Sequence, residues 1–106
     1  MTFEQVLEDA PSWIDENAAR IYWDNEAGYW EDEDAKTFWD SYEEAFQGIY
    51  DDESDFTRQL ADDCGIVPSD EMARRYFDYD ALERDLFMGD YWSADIPGGV
   101  VVFRSL

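Results

Sequence analysis

The stretch Ala35-Lys36-Thr37-Phe38-Trp39-Asp40-Ser41-Tyr42-Glu43-Glu44-Ala45-Phe46-Gln47 decides the fold class. Ala35, Phe38, Trp39, Tyr42, Ala45 and Phe46, continued by Ile49, recur three and four residues apart, as on one helix face. Asp40, Glu43 and Glu44 fall on the other. Asp34 supplies a cap and Gly48 a stop. The spacing predicts a helix over 35–47 with an aromatic inner face and an acidic outer face.

Before this helix, Thr2 and Gln5 form a capping box, followed by Phe3, Val6 and Leu7 at helical spacing. Pro11 suits the first turn of a second helix. Its apolar stripe is Ile14, Ala18, Ile21 and Tyr22. Asp24 to Asp34 reads as a loop rich in Trp, Tyr and acid. After the helix, Ser54 caps another that runs to Cys64 and stops at Gly65, with Phe56, Leu60 and Cys64 apolar. Arg58 lies between Asp55 and Asp62 as local charge relief. Pro68-Ser69-Asp70 starts a helix with Met72, Ala73, Tyr76 and Phe77 inward. Asp78 recaps a helix through Leu82, Leu86 and Phe87 that ends at Gly89. Tyr91–Ile96 and Val100–Arg104 flank Pro97-Gly98-Gly99 as a β-hairpin. The expected class is α+β, mostly α-helical, with short amphipathic helices and a C-terminal hairpin. Residues 1–106 read as a single acidic domain, with submodules at 1–50 (strongly acidic, helical) and 51–106 (helices plus hairpin).

Charge sets the functional question. The 106 residues carry 28 Asp and Glu against 7 Lys and Arg, a formal net charge of −21. Such acidity often marks disorder. Here 45% apolar and 18% aromatic residues supply the core that disordered chains lack. The chain can fold, yet its charge opposes folding. Solubility asks for a net charge of only about 2–8 in a small domain, so the excess points to function. It is uneven: residues 1–55 hold 18 acidic and 2 basic residues, whereas 56–106 hold 10 and 5.

Enzyme chemistry finds little support. No histidine is present, which removes His-based triads and His-ligated zinc. Cys64 stands alone, so no intramolecular disulfide forms; it reads as a small buried apolar residue. Lys36, the sole lysine, follows no glycine-rich phosphate loop. With so many carboxylates, a pair at catalytic distance arises by chance. For calcium, the run from Asp51 has Glu53 and Asp55 in loop positions but Phe56 where glycine is needed; the run from Asp24 ends on Ala35 where an acid is needed. No cofactor or dedicated metal is expected. Met1-Thr2-Phe3-Glu4 has neither the basic nor the apolar run of a secretory leader, and no segment is long enough to span a membrane. The acid also argues against direct contact with nucleic acid or an anionic membrane. A reducing compartment, the cytoplasm, and a basic protein partner are expected.

Duplex DNA carries one charge per about 1.7 Å of axis, so 21 net charges correspond to about 36 Å, near ten base pairs. Helix carboxylates three or four residues apart have Cβ atoms about 5–6 Å apart. The expected phosphate-like surface comprises Glu31, Asp32, Glu33, Asp34, Asp40, Glu43, Glu44, Asp51, Asp52, Glu53, Asp55 and Asp62. Any single acidic face is adequately explained by solvation; the whole set is not. The Trp and Tyr residues read as core, with Tyr29, Trp30 and Tyr91 as candidates for exposure at an interface.

From about Asp40 to Leu106 the chain resembles the ArdA family of antirestriction proteins. The resemblance rests on Phe46-Gln47-Gly48-Ile49-Tyr50, Asp55-Phe56 and Leu60-Ala61-Asp62-Asp63-Cys64-Gly65. It continues in Tyr76-Phe77-Asp78-Tyr79, Leu82-Glu83-Arg84-Asp85-Leu86 and Val102-Phe103-Arg104. Residues 1–35 carry no part of this pattern. The resemblance implies a DNA-mimicking fold of small mixed modules, commonly a curved homodimer encoded on a phage or other mobile element. It implies inhibition of type I restriction–modification enzymes by filling the DNA groove of the methyltransferase core. Tyr91, Trp92, Val100 and Val102 are the expected dimer interface. Two alternatives remain: an anti-CRISPR inhibitor using the same mimicry, and an acidic adaptor that binds a basic protein without displacing DNA.

Overall fold

Among the described residues six helices begin on a side-chain cap, and five of the six caps are aspartates. The computed structural model describes residues 1–105. In it, the capping box of Thr2 and Gln5 opens α1 (Phe3–Glu8). Asp15 opens α2 (Glu16–Asn25), accepting the Ala18 N–H at 3.0 Å. The short α3 (Ala27–Trp30) follows. Asp34 then opens α4 (Ala35–Ala45), accepting the Thr37 N–H at 2.8 Å. After β1 (Phe46–Tyr50), Asp52 opens α5 (Glu53–Asp63), with the Asp55 N–H at 2.7 Å. Asp70 and Asp78 open α6 (Glu71–Arg75) and α7 (Tyr79–Leu86). The hairpin β2 (Tyr91–Ile96) and β3 (Gly99–Arg104) completes the order. Each carboxylate satisfies a first-turn N–H that the helix leaves open and lies at the positive end of the helix dipole. The class is α+β and mostly helical, as the periodicity predicts.

The chain divides into two compact units, Met1–Phe46 and a second that begins at Gln47. The first is built on aromatic packing. Phe3, Val6, Ala18, Ala19, Tyr22, Trp23, Trp30, Phe38, Trp39, Tyr42 and Ala45 are buried. Phe38 meets Tyr22, Trp23, Trp30 and Trp39 with ring centroids 4.8–5.8 Å apart, mostly edge to face, the favoured geometry for such pairs. The Trp39 indole donates to the Val6 carbonyl at 3.0 Å, tying α4 to α1. The Tyr22 and Ser41 hydroxyls are 2.6 Å apart.

The second unit has a three-stranded sheet in the order β1-β3-β2. β2 and β3 pair antiparallel from Tyr91↔Arg104 to Ile96↔Gly99 about a Pro97-Gly98 turn, and Trp92 stacks on its partner Phe103. Phe56, Ala61, Val101, Val102 and Phe103 form its apolar core, with Thr57 buried beside them.

Several local expectations are corrected. The helix predicted to Gln47 ends at Ala45, because Phe46–Tyr50 joins the sheet. Gly48 is therefore no helix stop. It sits mid-strand at φ +137°, where the Tyr50 ring lies 3.2 Å from the position a Cβ would take. The Tyr50 hydroxyl crosses over it to donate to the Gln47 carbonyl. Pro11 precedes α2 instead of starting it, since Asp15 is the cap; the Pro11 carbonyl accepts the Ile14 N–H in a turn. Residues 24–34 are partly helical through α3 instead of an open loop. Asp52 caps α5 in place of Ser54, whose hydroxyl donates to Glu83. Gly65 does terminate that helix: at φ +68° it lets the Ile66 and Gly65 N–H groups reach the Ala61 and Asp62 carbonyls, a paired helix-end motif that favours glycine. Cys64, expected inside, is exposed at this end. The last predicted helix ends at Leu86, short of Gly89. Met72, Ala73 and Tyr76 point outward, as α6 buries none of its residues. Helical spacing shows which side chains share a face, not whether that face meets a neighbour.

Candidate functional site

The amphipathic split of α4 separates core from charge as expected. Phe38, Trp39, Tyr42 and Ala45 are buried, while Asp40, Glu43 and Glu44 are exposed. Immediately before α4, Glu31, Asp32 and Asp34 are exposed and Glu33 is half-buried. In the second unit, Asp51, Asp52 and Asp62 are exposed, and Glu53 and Asp55 are half-buried. The expected surface thus falls into two sets, one on each unit. Exposed carboxylates outside it include Glu16, Asp24 and Glu26 on and beyond α2.

These acids are not equivalent. Asp34 and Asp52 cap helices. Hydrogen bonds from the Thr37 backbone and then its side chain hold the Asp34 carboxyl below the usual aspartate range. Asp40 accepts from Lys36 at 2.7 Å, one turn earlier, and Asp62 pairs with Arg74 at 3.7 Å. Both pairs are exposed, so each contributes little to stability, but each removes a charge from the field a partner meets. Glu53 accepts the Ser93 hydroxyl at 2.5 Å, and Asp55 accepts the Asp51 N–H and the Gln59 amide. Of the expected set, the carboxylates of Glu31, Asp32, Glu33, Glu43 and Asp51 have no partner among the described residues. They are the carboxylates freest to bind.

Expected interface residues divide as well. Tyr29 is 54% exposed, whereas Trp30 is buried at 5%. Tyr91 is half-buried with its ring against Phe56, centroids 5.1 Å apart. Trp92 and Val100 are half-buried, while Val102 is fully buried within its own unit and has no surface to offer. The large exposed apolar side chains described in the second unit are instead Ile49, Ile66, Met72, Tyr76 and Met88.

A concavity of about 430 Å³ on the first unit is lined by Met1, Thr2, Phe3, Glu4, Arg20, Trp23 and Glu31. Its cation is already engaged: the Arg20 guanidinium lies over the Phe3 ring and pairs with Asp24 at 3.4 Å. Among the described residues no group of three or more His, Cys, Asp or Glu is arranged to hold a metal ion. No helix among them is long and apolar enough to cross a membrane.

No curated protein and no solved structure is significantly similar to the chain. A family model does match it, and the match reaches further toward the N-terminus than the motifs from Asp40 onward indicate. The model described as antirestriction protein (ArdA) covers residues 2–101, so the chain, its acidic first unit included, belongs to the ArdA family of antirestriction proteins.

Proposed function

We propose that this protein is a DNA mimic, which inhibits a type I restriction–modification enzyme by occupying its DNA cleft. The observation that carries the reading is the acidic face of α4 with the run before it: carboxylates turned outward at helical spacing on an aromatic core. Family membership supplies the antirestriction role. The mimicry is our reading of a net charge of −21 that neither solubility nor fold requires. Lys and Arg in the target's cleft would exchange phosphates for Asp32, Glu33, Asp40, Glu43 and Glu44.

Mimicry makes a thermodynamic demand. Affinity for the target should fall steeply as salt rises, because exchanging phosphates for carboxylates is governed by charge. Replacing Glu33, Asp40, Glu43, Glu44 and Asp51 with their amides should reduce both affinity and salt slope while the fold persists. Duplex DNA and the protein should compete for the methyltransferase core. Binding with no competition identifies an acidic adaptor instead. Competition with a CRISPR complex but with no restriction enzyme identifies the anti-CRISPR alternative.

We further propose a homodimer, formed in the second unit. Residues 66–77 are formally neutral, with Asp70 and Glu71 balanced by Arg74 and Arg75, and they expose Ile66, Met72 and Tyr76. Two strongly acidic chains approach most easily where the charge is lowest. This favours α6 over the half-buried Tyr91, Trp92 and Val100. Light scattering at micromolar concentration tests it: Met72→Glu with Tyr76→Ser should give a monomer, and a monomeric wild type rules the dimer out.

A further inference from the structure

We propose that Tyr29 is an aromatic anchor on the acidic surface, binding a guanidinium group of the partner by stacking. The inference rests on the mimic reading and deepens it: the carboxylates stand in for phosphates, and Tyr29 offers the flat face of a base. Among the described residues of the first unit, only Trp13 and Tyr29 are exposed large apolar side chains. The Trp13 ring still lies against Tyr42 and Phe46, at 6.1 and 5.9 Å. Tyr29 instead stands on Trp30, edge to face at 4.8 Å. Trp30 is in turn held in the core by Phe38 at 5.1 Å and Tyr22 at 5.8 Å. The exposed ring is thus mounted on packed aromatics, and little motion remains to be frozen when a partner binds.

Its surroundings select the ligand. Glu26, Glu31 and Asp32 are exposed within three residues of Tyr29. A ring face already carries negative potential, and flanking carboxylates deepen it. Such a face attracts cations, and arginine above lysine, because the planar guanidinium stacks while its N–H groups reach neighbouring acceptors. Clefts that bind DNA present such groups to phosphates and bases. Tyr76, though 84% exposed, has the opposite setting: Arg74 and Arg75 stand beside it.

The test uses the full chain and two probes, octa-arginine and octa-lysine peptides, titrated calorimetrically over a range of salt. Wild type should bind octa-arginine more tightly. Tyr29→Leu should weaken that binding about twofold to thirtyfold, the range of a cation–π contact, with the salt slope unchanged. Tyr29→Phe should retain it, and Met88→Ala, at an exposed apolar side chain flanked by Asp85 and Asp90 but without a ring, should have no effect. Tyr29→Leu equal to wild type, or Met88→Ala as weak as Tyr29→Leu, overturns the proposal. Circular dichroism confirms that each variant folds. A separate competition of wild type with duplex DNA for a type I methyltransferase core reports on the mimic reading itself, so the two failures are distinguishable.

Discussion

The two units treat charge and apolar surface in opposite ways. Among the described residues, the first packs eleven of sixteen buried apolar side chains into its 46 residues, and it carries 14 acidic against 2 basic residues. The second buries the other five, carries 14 acidic against 5 basic, and leaves Ile66, Met72, Tyr76 and Met88 uncovered. The more repulsive unit thus has the denser core. A surface of like charges drives a fold apart, and aromatic burial opposes that most strongly per residue. Where charge is balanced by arginine, the sequence can leave apolar groups outside.

Breaking the dense core should have the largest effect. Phe38→Ala removes the hub of the aromatic cluster and should cost about 3–5 kcal/mol. Tyr76→Ala should change monomer stability by less than about 0.5 kcal/mol. Urea unfolding followed by tryptophan fluorescence checks both, since Trp13, Trp23, Trp30 and Trp39 report on the first unit and Trp92 on the second. Equal costs would erase the contrast between the units.

A finer comparison lies inside that cluster. The Trp39 indole N–H donates to the Val6 carbonyl, whereas that of Trp30 is buried without a partner among the described residues. Trp39→Phe should therefore cost about 1 kcal/mol more than Trp30→Phe, since it removes a hydrogen bond at similar loss of volume while the Val6 carbonyl keeps the Asp9 N–H. Asp15→Ala should cost about 1 kcal/mol, and Asp15→Asn much less, because asparagine caps equally well. Denaturation midpoints decide both.

The smallest expected effect is alkaline. Burial, and then the charge of Asp15, push the Tyr42 phenol above its ordinary value. A folded value above the unfolded one means its contribution is complete below the ordinary tyrosine range, about pH 10, and is lost as pH rises through the folded value. Tyr42→Phe should flatten this alkaline loss of stability, measured as melting temperature against pH.

Features set by neighbours in sequence were legible. The α4 stripe, the Thr2 box, the Asp34 and Asp78 caps and the Pro97-Gly98 hairpin each depend on a few adjacent residues. What was missed depends on distant ones. Phe46–Tyr50 continues a helical pattern, yet pairing with β3, half the chain away, makes it a strand. Ser54 and Asp52 are both good caps, and only the extended backbone at Asp52 separates them. At the site, composition revealed the acid but not its occupations: nothing in the sequence says that Glu53 meets Ser93 or that Asp62 meets Arg74. The tiers of available charge, with the carboxylates of Glu31, Asp32, Glu33, Glu43 and Asp51 the least engaged, required the fold.

The aspartate caps make net charge separable from architecture. Asparagine accepts the same first-turn N–H, so Asp→Asn at 15, 34, 52, 70 and 78 forms a ladder of isosteric variants from −21 toward −16 with every helix start retained. Each rung subtracts one charge at a known place and leaves the backbone alone. A chain whose helices start this way can have its charge set in single electrostatic steps, without renegotiating its fold.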